Sequence, residues 1–167
     1  GTWLHGDPRG SVDSAHNQFG APLLPASTAR MASRRALMKH ASMCLSIPMR
    51  QTVLATFREV CAHRGWQLLA ANVREAHVHA LVSATGTPEK VMGDLKAWST
   101  RRLRAANLIG CATTLWAHHG STRYITTPSS LETAFTYTLF EQGTNQAGTF
   151  WPPAGCAIPR DHQSPAR

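Results

Sequence analysis

Acidic residues are scarce in this chain of 167 residues: 9 Asp and Glu stand against 17 Lys and Arg, giving a formal net charge of +8 and a pI near 10.2. That balance favours an anionic partner such as nucleic acid, although ribosomal and membrane-surface proteins share it. The four cysteines, Cys44, Cys61, Cys111 and Cys156, lie far apart with no paired spacing, which argues against a zinc knuckle and a disulfide framework and suits a reducing cytoplasm. No apolar run approaches the roughly 18 residues of a membrane span, and the N-terminus lacks a signal-peptide hydrophobic core, so a soluble cytoplasmic protein without a membrane partner is expected. Methionine is missing from position 1, where Gly1 stands, so the expectation is a sequence that opens partway through a processed or truncated product. Tyrosine is rarer still, with only Tyr124 and Tyr137.

What is present suffices for a fold. Apolar residues make up 43% of the chain, which excludes disorder by composition, and the length suits one domain plus tails. Gly, Pro, Asp, Ser and Asn crowd residues 5–30, which predicts an irregular leader over 1–47. Val53, Leu54, Phe57, Val60 and Cys61 recur at helical spacing, so residues 48–64 are expected to form an amphipathic helix stopped by Gly65. Residues 66–73 and 75–83 read as two strands of a hairpin, bounded by Gly65 and by Gly86-Thr87-Pro88.

Thr87 as N-cap and Pro88 at the first helical position open a second helix to about Arg104, with Val91, Met92, Leu95 and Trp98 on its buried stripe and Lys96, Arg101, Arg102 and Arg104 outside it. A strand over 115–125, interrupted at Gly120, and a helix over 130–142, with a capping box of Ser129 and Glu132, complete a domain of 48–143. A Pro- and Gly-rich tail covers 144–167. The order helix, strand, strand, helix, strand, helix predicts an α+β fold with helices on one face of the sheet.

Two constellations point to chemistry. In residues 75–83 the even positions Ala76, Val78, Ala80 and Val82 are apolar, whereas the odd ones are Glu75, His77, His79, Leu81 and Ser83. Alternation along a strand sends His77 and His79 to one face, expected to be open, and the apolar set to a covered face. Two imidazoles so placed converge on one metal ion; Mg²⁺ or Mn²⁺ suits phosphoryl chemistry with added carboxylates or amides, and zinc would also bind. A bland reading has both histidines decorating the solvent side of a strand.

The second constellation lies on the last helix. Leu131, Phe135, Thr138 and Leu139 form its apolar stripe, while Tyr137 and Glu141, four apart, share another face. A phenol with an ordinary pKa of about 10 needs help to attack a phosphate, and a divalent cation supplies it. Tyr137 is therefore the expected nucleophile and Glu141 the expected third ligand, with Gln142 as the neighbouring alternative. Tyr124, in its strand setting, reads as a packing or stacking residue. His118 and His119 are adjacent beside Gly120 and read as loop residues.

Together these residues resemble the single-tyrosine HUH transposases, both IS200-like and associated with repetitive extragenic palindromes. The resemblance rests on Arg64-Gly65-Trp66 leading into a strand, His77-Val78-His79, Leu95-Lys96-Ala97-Trp98-Ser99, Gly120-Ser121-Thr122-Arg123-Tyr124, and the tyrosine helix ending in Glu141-Gln142-Gly143. It implies a ferredoxin-like antiparallel sheet whose first strand is largely missing from this chain, only its tail remaining at residues 1–7. It also implies a metal held by His77, His79 and Glu141, and a Tyr137 that cuts single-stranded DNA through a 5′-phosphotyrosine and rejoins it. Hairpin-containing DNA would be the substrate, with Lys96, Arg101, Arg102, Arg104 and Arg123 as DNA-binding candidates and a homodimer as a candidate assembly. Glu141 departs from the amide usual in the family at that position. The competing expectations are a non-catalytic DNA-binding remnant, and a metal-dependent hydrolase in which the histidines activate water and Tyr137 only packs.

Overall fold

A computed structural model of the chain describes residues 6–8, 22, 24–38, 43–117, 120–140 and 149–150. They fall into two units, Gly1–Cys44 and Leu45–Arg167. In the first unit, the Ser27 hydroxyl accepts from Arg30 N at 3.2 Å and caps helix α1, Thr28–Ala36. Ser27 N in turn donates to the carbonyl of Gly6, whose φ of 95° and close approach to the Ser27 carbonyl leave no room for a Cβ. This helix falls inside the stretch expected to be an irregular leader. The Gly and Pro signals upstream masked a serine cap followed by the good helix formers Ala29, Arg30, Met31 and Ala32. Of the expected first-strand remnant, Gly6 and Asp7 are outside any strand, and the other five residues lie outside the described part.

The second unit is α+β. Helix α2, Ile47–Arg64, buries Met49, Val53, Phe57, Val60 and Cys61 and ends at Gly65 in the left-handed region (φ 67°). There Gly65 N donates to Ala62 O and Trp66 N to Cys61 O, closing the helix and turning the chain into strand β1, Gln67–Val73. Strand β2, Val78–Ser83, returns antiparallel, and Arg74 N bonds to His77 O at 2.9 Å across the turn. Thr87 accepts from Lys90 N to cap helix α3, Pro88–Ala105, as its spacing before Pro88 predicts. Helix α4, Pro128–Leu139, is capped by Thr127, which accepts from Ser130 N, rather than by Ser129.

A two-residue strand β3, Thr149–Phe150, pairs antiparallel with β1, so the sheet order is β2-β1-β3. It lies in the stretch expected to be a tail. Among the described residues β2 pairs with β1 alone, and no helix is long and apolar enough to cross a membrane.

The strand expected over 115–125 is absent among its described residues, which run without a ladder beside α3. Trp116 Nε1 bonds to Lys96 O at 3.0 Å and Thr100 Oγ1 at 3.1 Å, and Lys96 Nζ donates to Ala117 O at 3.1 Å. Thr122 Oγ1 donates to Glu89 Oε1 at 2.8 Å and holds that carboxyl below its usual pKa. Gly120 lies against the Met92 sulfur, where a Cβ would collide. These tertiary anchors on α3 take the place of sheet pairing.

One feature of α2 opposes stability. Arg50 is 3% exposed, on the buried side of the helix with Val53 and Phe57, and its Nε and Nη1 have no hydrogen-bond partner. Two buried guanidinium nitrogens left without hydrogen bonds cost more than an apolar side chain of similar volume. Arg50→Met is therefore expected to raise stability by about 1–4 kcal/mol in urea unfolding, and a loss of more than about 1 kcal/mol would contradict that cost. Burial also pushes the Cys61 thiol up to about 11. At pH 8 Cys61 should resist iodoacetamide in the folded protein while the exposed Cys44 and Cys111 react, as peptide mapping would show.

Candidate active site

β2 and the turn before it place His77 and His79 side by side, with ring centres 5.1 Å apart. Both lie on the side of the sheet that also carries Leu81, and that side is not open. Leu81 is 9% exposed and joins Ala70 and Leu139 in a core cluster, with Leu131, Ala134 and Phe135 of α4 packed around it. Helix α4 thus seats on the histidine side of the hairpin, contacting both β1 and β2. Ala71 and Val73, which alternate with Asn72 on β1, are fully buried on the other side, where α2 packs on β1.

The even positions of β2, expected to be the covered set, are less protected: Val78 and Val82 are half-buried and Ala80 is exposed. The signal for the covered histidine side was Leu81 itself, an apolar residue in the odd row. A register irregularity between Leu68 and Ala70 adds Leu69 to the same cluster.

Tyr137 sits at the rim of this seat. It lies off the stripe of Leu131, Phe135 and Leu139, as its helical position predicts, and is 45% exposed. Its ring meets His79 edge-on, with centres 5.3 Å apart and planes at 89°. The three rings therefore form a continuous row, His77 to His79 to Tyr137, with the phenol at the solvent end. Tyr124, at 69% exposure, is not part of it.

Asn72 completes the arrangement and was not foreseen. It is the cross-strand partner of His79, is 1% exposed, and its Nδ2 donates to Thr138 O at 3.0 Å, next to Tyr137 in sequence. Its Oδ1 is buried without a partner. A single amide inside the apolar run Leu68-Leu69-Ala70-Ala71-Asn72-Val73 was the available signal, because a buried polar side chain needs a specific partner.

Two imidazoles bound to one ion at about 2.0–2.1 Å bring their ring centres to about 5 Å, and the separation of His77 and His79 meets that requirement. In ring separation, the pair meets what a divalent metal requires. Among the described residues no group of three or more His, Cys, Asp or Glu gathers around it. Glu141, the expected third ligand, and its alternative Gln142 lie outside the described residues, as do His118 and His119.

The five basic candidates have different partners. Lys96 is turned to the loop at Ala117, where partial burial draws its ammonium below the ordinary lysine pKa. Arg102 is on the α2 flank, paired with Glu59 at 2.7 Å, and Arg101 stacks over Trp98 at 5.5 Å. Arg104 and Arg123 are exposed.

A family described as transposase IS200 like matches residues 36–134, more than half of the chain. No curated protein and no solved structure gives a significant match. Leu139, 7% exposed at the centre of the seat, holds α4 over β2. Leu139→Ala should cost about 2–5 kcal/mol in urea unfolding; a cost below about 1 kcal/mol would mean that the tyrosine helix rests elsewhere.

Proposed function

Because this chain belongs to the IS200-like transposase family, whose partner is DNA, we propose that it cuts and rejoins single-stranded DNA with Tyr137 as nucleophile and a divalent metal, Mg²⁺ or Mn²⁺, on His77 and His79. The observation that carries this reading is the row of rings: the phenol of Tyr137 lies edge-on to one histidine of a pair spaced for a common ion. Residues 48–143 would carry the catalytic domain, with Glu141 as third ligand. When bound, the metal would polarise the scissile phosphate and offset the charge that develops on its oxygens.

The protein's own residues supply the rest. Tyr137 Oη attacks the phosphorus and loses its proton, a phosphorus–oxygen bond to the tyrosine forms, and the bond to the 3′-oxygen breaks. The 3′-oxygen takes up a proton and leaves as a hydroxyl, while the 5′-phosphate stays on Tyr137. Attack by a 3′-hydroxyl on that phosphotyrosine reverses the exchange and joins strands without a nucleotide cofactor, because the ester conserves the bond energy. The solvent-facing position of Tyr137 suits a strand arriving from outside. Arg101, Arg104 and Arg123, all exposed, are the candidates to meet its phosphates, and a hairpin in the substrate supplies the shape that loops and helices read.

The test is an adduct assay. Labelled single-stranded DNA with a hairpin, incubated with the protein and Mn²⁺, should yield a denaturation-resistant protein-DNA species that disappears in Tyr137→Phe and with chelator. Cleavage without an adduct would replace the reading by a hydrolase using activated water. Binding without cleavage would leave a DNA-binding protein that has no turnover.

A further inference from the structure

We propose that Asn72 is a positioning residue that sets Tyr137 and His79 together, using one half of its amide for each; this rests on the proposed roles of those two residues. The donor half is in place. Nδ2 bonds to Thr138 O at 3.0 Å in a fully buried setting, so the backbone one residue beyond Tyr137 is tied to the central strand. Such a bond is worth more than its area suggests, because breaking it leaves a buried carbonyl unpaired.

The acceptor half is poised. Oδ1 is buried and has no partner, and the antiparallel register sets Asn72 directly opposite His79 on β2. Side chains directly opposite each other in an antiparallel pair leave the same face, with their Cβ atoms about 4.5–5.5 Å apart. A histidine that binds a metal through one ring nitrogen donates its other N–H to an oxygen, which fixes its tautomer and orientation. Oδ1 is the acceptor assigned here to His79, and Asn72 thereby links the ligand strand to the nucleophile helix through one rigid side chain.

Two variants separate the halves. Asn72→Asp keeps acceptor oxygens and, as the carboxylate, loses the donor. Asn72→Leu loses both at similar volume. Mn²⁺ affinity of the whole chain, followed by the electron paramagnetic resonance signal of free Mn²⁺, reads the acceptor. The rate of adduct formation at saturating Mn²⁺ reads the donor. Because a site this buried raises a carboxyl's pKa, both readouts are followed from pH about 7 to about 9 and compared where the carboxylate form is reached.

The expected result for Asn72→Asp is an Mn²⁺ Kd within about threefold of wild type, with adduct formation slowed about tenfold or more. For Asn72→Leu both should fall, the affinity by about 10-fold or more. The inference is overturned if Asn72→Leu, folded by its thermal transition, binds Mn²⁺ as wild type does, or if Asn72→Asp binds it with a Kd raised by 10-fold or more. The Asn72→Asp comparison decides the matter even if Asn72→Leu does not fold. Wild-type protein that binds no Mn²⁺ would overturn the metal reading of the histidine pair, and the acceptor role with it.

Discussion

The packing of Leu139 and Leu81 against Ala70 is the interaction on which the rest of the site depends. It brings α4 down onto the histidine side of the hairpin, and without it Tyr137 and His79 would belong to unrelated surfaces. The seat is apolar and therefore non-directional: it supplies most of the attraction between helix and sheet but little of the alignment. Alignment comes from the polar bond beside it, Asn72 Nδ2 to Thr138 O, which fixes the helix at one point along the strand. An apolar contact that holds and a buried polar contact that registers together set Tyr137 beside the histidine pair.

The row of rings lies where burial gives way to solvent. Moving along the row from His77 through His79 to Tyr137, the side chains pass from half-buried to nearly half-exposed. The two histidines are partly shielded, while Tyr137 is open to solvent. The basic residues follow a different logic. Arg102 is committed to Glu59 and Lys96 to Ala117, so part of the positive charge of α3 fastens that helix to α2 and to the loop after it. Net charge speaks for an anionic partner, but it does not say which cations are spare.

Much of this was legible in the sequence, and the exceptions have identifiable causes. Gly65, Thr87-Pro88 and the spacing of Val53, Phe57 and Val60 are local signals, and the helix ends they predict agree with the structure within one residue. Strand parity correctly put His77 and His79 together, and helix phase put Tyr137 off its apolar stripe. Local patterning could not say which face of the sheet α4 would cover, because both rows of β2 contain apolar residues and the choice is made by Leu139 and Phe135 from far along the chain. The stretch 115–125 reads as a strand in sequence, yet its bonds go to Lys96 O, Thr100 and Glu89, partners that no local window contains. Asn72 escaped notice for the same reason: its partner is 66 residues away.

The central claim is that, of the two tyrosines, the one beside the histidine pair carries the chemistry. Proteolysis of the protein-DNA adduct followed by mass spectrometric sequencing of the nucleotide-bearing peptide tests it most directly. The account predicts a phosphodiester on Tyr137, attached to the 5′ end of the downstream DNA fragment. A phosphodiester on the exposed Tyr124, or a 3′-linked phosphate on any residue, would contradict it.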